Sequence, residues 1–253
     1  MLLRRIYQFL LIYLLGLSVL LVLKYVMGLS DYVIPGPALI LHTSRAEIGR
    51  YMTDVADTLS VAVVGQLLSI AFALTVGIAG RRTSWFGTFV KVAAYNIQAY
   101  PIVALAPIIF ILLGDGFISR LLIAAMICYF PLLLSVLGIM SEPITDIEHF
   151  YLQTGRMRWQ LEVKIRAFEN LHKLTTVVAG SATLAMAGTI VAEFIAANAG
   201  IGYSIRIALF QSDLAKILVA LFAIGITISI YQGLLEYSGV LCHKAWAGRL
   251  PDE

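Results

Sequence analysis

Apolar runs long enough to cross a bilayer recur along almost the whole of this chain, and they limit its fold more than any other feature. A helix needs about 20 apolar residues to span the hydrocarbon core. The sequence offers such runs at 6–27, 57–80, 86–113, 117–140, 175–197 and 214–239. Charged residues make up only 13% of the chain, about half the share usual in soluble domains. The prediction is an all-α polytopic membrane protein with six transmembrane helices.

The first run follows Arg4 and Arg5 and continues to Met27. It is too long for the apolar region of a signal peptide, and no small-residue cleavage site follows, so it reads as a retained helix. The third run contains Pro101 and Pro107. Such prolines bend a helix and free carbonyls, so two shorter helices meeting around Gln98–Pro101 are an alternative. Orientation follows from the flanking cations. Arg4, Arg5, Arg81, Arg82, Lys91, the cations between 156 and 173, Lys244 and Arg249 fall on one side. Lys24, Arg45, Arg50, Arg120, Arg206 and Lys216 fall on the other. The richer side is predicted to be cytoplasmic, with both termini on it. These boundaries divide the chain into an N-terminal helix at 1–28, an external segment at 29–56, a core at 57–240 and a cytoplasmic tail at 241–253. The external segment contains Ile34-Pro-Gly-Pro37, an extended turn leading into a short interfacial helix. Cys128 and Cys242 are far apart and form no metal or redox motif; Cys128, inside an apolar run, reads as a packing residue.

The one long polar interruption lies at 141–174, on the cytoplasmic side. From Ile144 its apolar residues recur in steps of three and four, the mark of an amphipathic helix. Gly155 is best used to end one helix, because glycine adopts the left-handed conformation cheaply. The expectation is a short helix at about 145–154, a turn at Gly155, and a second helix rising through Trp159 towards the membrane. Its apolar face either lies on lipid, with the cations at anionic headgroups, or docks a soluble partner.

Here the residues resemble the permease subunits of ATP-binding-cassette importers, type I, in the branch carrying sulfonates, taurine, nitrate and related small compounds. Gly155, Arg158 and Trp159 fall at matching positions of that family's cytoplasmic loop. Ile34–Pro37 resembles its external proline motif, and Thr58-Leu59 the start of its second helix. Pro101–Pro107, Gly114-Asp-Gly116 and Phe130-Pro131 resemble its central block. Ala192-Glu193 and Ala199-Gly-Ile-Gly-Tyr203 resemble its fifth helix and the turn after it. Motifs in this order cover residues 30–246. Two positions depart from the pattern. The acidic-alanine-alanine positions hold His149, Phe150 and Tyr151, with Glu148 one residue early, and Phe168 stands where a proline is expected.

The resemblance implies a permease that forms the passage for a small polar or anionic solute: a sulfonate, taurine, nitrate, a pyrimidine precursor or an aromatic carboxylate. It implies a cytoplasmic ATP-binding-cassette ATPase dimer, a second permease copy, identical or paralogous, and an external substrate-binding protein. The chain has no Walker-type loop, so ATP and Mg belong to the partner ATPase, and the chain itself binds no cofactor. Lipid is its solvent, nucleic acid is no partner, and the location implied is the bacterial inner membrane. Glu148, His149, Phe150, Tyr151, Gly155, Arg158 and Trp159 would make the coupling helix and its exit. Asn96, Gln98, Tyr100 and Met186 are candidates for the translocation path, Tyr95 with them, and each alternatively serves helix packing. Glu193 is a carboxylate near the outer end of an apolar span, where such groups are costly and face a bundle interior or a wet cavity. It is either a gate or latch, or a helix-end group bonded to the Gly200–Gly202 turn and reaching interfacial water. An ion-coupled secondary transporter with Glu193 as its titrating group is the alternative function. An intramembrane enzyme is disfavoured, because His42, His149, His172 and His243 all lie in loops or at helix ends. Gly180, Ser181, Ala185 and Gly188 are expected at a permease–permease interface.

Overall fold

The computed structural model describes residues 2–80, 84–141 and 159–247. Among them the chain is helical: α1 Leu2–Met27, α2 Pro37–Gly80, α3 Ser84–Ala99, α4 Ile102–Leu113, α5 Phe117–Ser141, α6 Trp159–Glu169, α7 Leu171–Ile195, α8 Ile201–Phe210 and α9 Leu214–Ala247. Five of these are long and apolar enough to cross a membrane, and α3 with α4 make a sixth if the pair counts as one span. That pair is bent by 84° at Tyr100-Pro101. Proline cannot donate to the preceding turn and disfavours helical geometry in the residue before it, so the third span is the broken one. Pro107, by contrast, lies inside the continuous helix α4.

Two predicted boundaries are corrected. The separate interfacial helix after Pro37 does not occur; Pro37 instead opens a helix of 44 residues that runs on through the second span. Its buried residues explain the continuity. Tyr51, Val55, Thr58, Ala62, Gln66, Ser69, Ala73, Gly77 and Gly80 step by three or four along one stripe, with no proline between 38 and 80 to interrupt it. The predicted tail at 241–253 also begins as helix, since α9 continues to Ala247, the residue before Gly248.

α2, α5, α7 and α9 pack together as the centre, α3 and α4 lie on α5, and α8 lies across α7 and α9. The core is mostly small residues and branched aliphatics, which let helices approach without a hydrophobic driving force between them. Ser181, Ala185 and Gly188 are buried inside this chain, which corrects their expected place between two permeases. A Cβ on Gly188 would lie 3.1 Å from Ala124 Cα and from Ile127 Cβ, whereas Gly180 faces open space. Cys128 is fully buried in the same core, its Sγ 3.5 Å from the Ser181 carbonyl. Midway along the bundle, Gln66 Nε2 donates to the Val178 carbonyl at 2.8 Å and to Ser181 Oγ at 2.9 Å, while its Oε1 accepts from Tyr231. One amide thereby ties α2 to α7 and α9.

α1 is peripheral. None of its residues is buried, and α9 is the helix it packs on extensively. The phenyl ring of Phe9 sits over Gly225, where a Cβ would meet the ring at 1.9 Å. Tyr13 stacks edge-on to Phe222 at 5.2 Å. Arg5 pairs with Glu236 and donates to Gln232 at 2.9 Å, which places the start of α1 and the end of α9 at the same end of the bundle.

Candidate functional site

At the opposite end, α7 finishes at Ile195 and the chain turns through Ala196–Gly200 into α8. Gly200 has φ +90°, a conformation costly for residues with a side chain. The first backbone N–H groups of a helix have no partner within it and carry partial positive charge. In α8 the first two of those groups are spoken for. Ile201 N–H donates to Thr58 Oγ1 at 2.9 Å, and Gly202 N–H donates to Glu193 Oε2 at 3.0 Å. The fit is close: a Cβ at Gly200 would fall 2.2 Å from the Glu193 carboxylate, and one at Gly202 would fall 2.4 Å from the Ile190 carbonyl.

Glu193 is completely buried. Besides Gly202 it accepts from Thr58 Oγ1 at 2.8 Å and from Arg120 Nη1 at 3.2 Å. The same Arg120 nitrogen donates to Asp57 Oδ2 at 2.6 Å. Arg120 Nε is buried without a hydrogen-bond partner. Beside this cluster, Ser204 Oγ donates to Asp54 Oδ2 at 2.5 Å, and Arg206 donates to the carbonyls of Phe194 and Ala197. One buried carboxylate therefore joins the middle of α2 to the start of α5, the end of α7 and the start of α8. Isolated charges in such a place cost several kcal/mol, and removing one partner strands the other. The arrangement ties three helix termini to the side of α2, and a solute has no access to the carboxylate in this conformation.

Of the helix-end expectation, the bond to the Gly200–Gly202 turn occurs, whereas the reach to interfacial water does not, because the carboxylate is completely buried and also bonded to two other helices. Sequence reasoning missed Arg120 as its partner, counting it only among the external cations. The signal was available, since Arg120 opens one apolar span and Glu193 is the one charged residue of 175–197 near the end of another.

The remaining candidates separate. Asn96 and Gln98 are exposed on the last turns of α3, Tyr95 with them, and Tyr100 is exposed in the break itself. Met186 is fully buried in the core with Tyr51, Val55 and Ile201, so it lines no accessible passage in this conformation. Glu148, His149, Phe150, Tyr151, Gly155 and Arg158 lie outside the described residues; Trp159 opens α6. Among the described residues, no three His, Cys, Asp or Glu side chains are grouped to hold a metal.

A family model described as "binding-protein-dependent transport system inner membrane component" matches residues 69–237, the stretch holding α3 to α8 and most of α9. The chain belongs to this family. The permease is 34% identical over 236 residues to RibX of Chloroflexus aurantiacus, a riboflavin transport system permease protein, covering 88% of each chain. It is 23% identical over 216 residues to ThiX of Halalkalibacterium halodurans, a formylaminopyrimidine transport permease protein, covering 83% of each. The permease is therefore a multi-pass inner-membrane subunit of an ATP-binding-cassette importer for small solutes.

Proposed function

We propose that this permease, paired with a second permease copy, forms the passage of an importer for a flat nitrogen heterocycle of the riboflavin or aminopyrimidine class. An external binding protein delivers the solute, and a pair of partner ATPases supplies the drive by hydrolysing Mg-bound ATP. The observation that carries this reading is the agreement of the two relatives, both named for nitrogen heterocycles, over more than four fifths of the chain. The exposed group Tyr95, Asn96, Gln98 and Tyr100 at the break between α3 and α4 supports it chemically. Aromatic rings stack on planar ligands, and amide side chains offer both donors and acceptors for ring nitrogens and carbonyls.

The coupling step is assigned to 145–155, with Gly155 ending the helix that seats on the ATPase and α6 carrying its displacement to α7. Both termini then lie on the cytoplasmic side. The Glu193 cluster is assigned the role of a latch at the outer end, closed here and opened as α7 and α8 separate from α2 and α5.

The test is uptake of labelled riboflavin, formylaminopyrimidine and taurine by a heterocycle auxotroph carrying the complete transporter. Saturable, ATP-dependent uptake of one heterocycle, lost in the Gly155→Trp variant while membrane insertion persists, is the expected result. Taurine uptake alone would overturn the substrate class. Transport by the permease without any ATPase would overturn the importer mechanism.

A further inference from the structure

A second site lies at the other end of the bundle, between the start of α1, the start of α7 and the later part of α9. The cavity there has a volume of about 590 Å³ and is walled by α1, α7 and α9. Its charged and polar groups come from all three. α1 contributes Arg4, Arg5 and Gln8; α7 contributes His172, Thr175 and Thr176; α9 contributes Glu236. These groups do not balance. Glu236 is the one carboxylate among the described residues that line it, and it is already paired with Arg5, whose Nε donates to it at 3.0 Å. Thr175 and Thr176 spend their hydroxyl protons on the His172 carbonyl, at 2.8 and 2.9 Å. Arg4 has no carboxylate in reach among the described residues. Among the described residues the cavity therefore keeps the Arg4 charge without a carboxylate partner, further donors on the Arg5 guanidinium, and the His172 ring.

Such a site selects an anion with several acceptor oxygens. Its surroundings choose between a soluble and a lipid-borne one. On the same helix as Arg4 and Arg5, Leu3, Tyr7, Leu11 and Leu14 stand exposed, and the run continues as membrane span to Met27. An anion seated at Arg4 thus has an apolar helix face leading away from it into the bilayer. We propose that this cavity binds the phosphodiester of an anionic phospholipid, with its acyl chains along α1, and that the lipid bridges α1 to α7. α1 otherwise depends on its contacts with α9. Basic pockets between helices at the membrane surface are suited to such headgroups.

The test uses the permease purified in the transporter assembly it forms, stripped of lipid and exposed to vesicles of equal phosphatidylglycerol and phosphatidylcholine. Retained lipid is read by native mass spectrometry. The expected result is enrichment of phosphatidylglycerol, falling about fivefold in Arg4→Gln, falling also in His172→Gln, and restored in Arg4→Lys. Lys91→Gln, an exposed cation outside the cavity, should leave it unchanged. Equal retention by wild type and Arg4→Gln would overturn the proposal, as would an equal loss in Lys91→Gln, which would reveal only general surface charge. Displacement of the lipid by millimolar inorganic phosphate, with phosphate itself retained through Arg4, would make the site one for a soluble anion and overturn the lipid assignment. Should Arg4→Gln not assemble, the His172→Gln and Arg4→Lys measurements decide the matter.

Discussion

At the scale of single residues, Arg120 and Glu193 form a buried ion pair at 3.2 Å, a contact whose one-sided loss is costly. Replacing Arg120 by methionine would leave the Glu193 carboxylate buried with only Thr58 and the Gly202 N–H. The expected cost is about 3–5 kcal/mol, read as a lower midpoint in thermal or denaturant unfolding in detergent. Glu193→Gln keeps the shape and two of the hydrogen bonds, so it should cost less and should change transport rate more than stability. An unchanged rate would leave Glu193 a purely structural role. Gly202→Ala should destabilise by about 1–3 kcal/mol, because its Cβ would lie 2.4 Å from the Ile190 carbonyl and 2.7 Å from Glu193 Cβ. Outside the spans, Asp31 is hydrogen-bonded to Lys24, and this bond and the lysine charge hold its carboxyl below the usual range. A depressed folded value means the pair stabilises the turn above the unfolded carboxylate pKa of about 4, and the contribution is lost as pH falls below it. Hydrogen-exchange protection at 29–36, measured against the intrinsic rate at each pH, should therefore fall below about pH 4 in wild type, with Asp31→Asn showing the lower protection already at pH 7.

At the scale of elements, the apolar runs were legible because membrane helices announce themselves by length alone. Where the runs began and ended was less so. α2 looked like two pieces because Arg45, Glu47, Arg50 and Asp54 interrupt the hydropathy. The helix persists because burial follows one face, and Tyr51 and Val55 keep that face apolar through the charged stretch. The break at Pro101 was readable from proline chemistry, and its 84° angle was not. The stripe of Ser181, Ala185 and Gly188 showed that some close approach occurs, but spacing alone says nothing of which helix approaches. Thr58 and Asp57 were invisible as site residues for a related reason, since an ion network drawn from four helices has no local pattern. Pro101→Ala should straighten the pair towards one continuous span and move Tyr100 relative to Asn96 and Gln98. The expected outcome is a several-fold loss of uptake with assembly intact, checked by transport kinetics and by spin-label distances between α3 and α4.

At the scale of the whole molecule, the bundle is a four-helix centre with a tethered outlier. α1 is held by Arg5 with Glu236, by rings against Phe222, and by Phe9 over Gly225. Gly225→Val would fill the seat of the Phe9 ring and should free α1 while leaving the centre folded. Engineered cysteines at Tyr13 and Phe222 should then cross-link poorly, while the unfolding midpoint of the remainder shifts little. A collapse of the entire bundle in that variant would show that α1 belongs to the centre after all.

The unbroken length of α2 also has a mechanical consequence. At a rise of 1.5 Å per residue the helix is about 66 Å long, roughly twice the hydrocarbon thickness. It touches α5 closely at Gly65, where a Cβ would lie 3.3 Å from the Ala124 methyl. If that contact is the fulcrum, the arm out to Pro37 measures about 42 Å. A rocking of ~10° about it sweeps the far tip through ~7 Å. Small displacements near the coupling end would then arrive, magnified, at the face where solute is handed over.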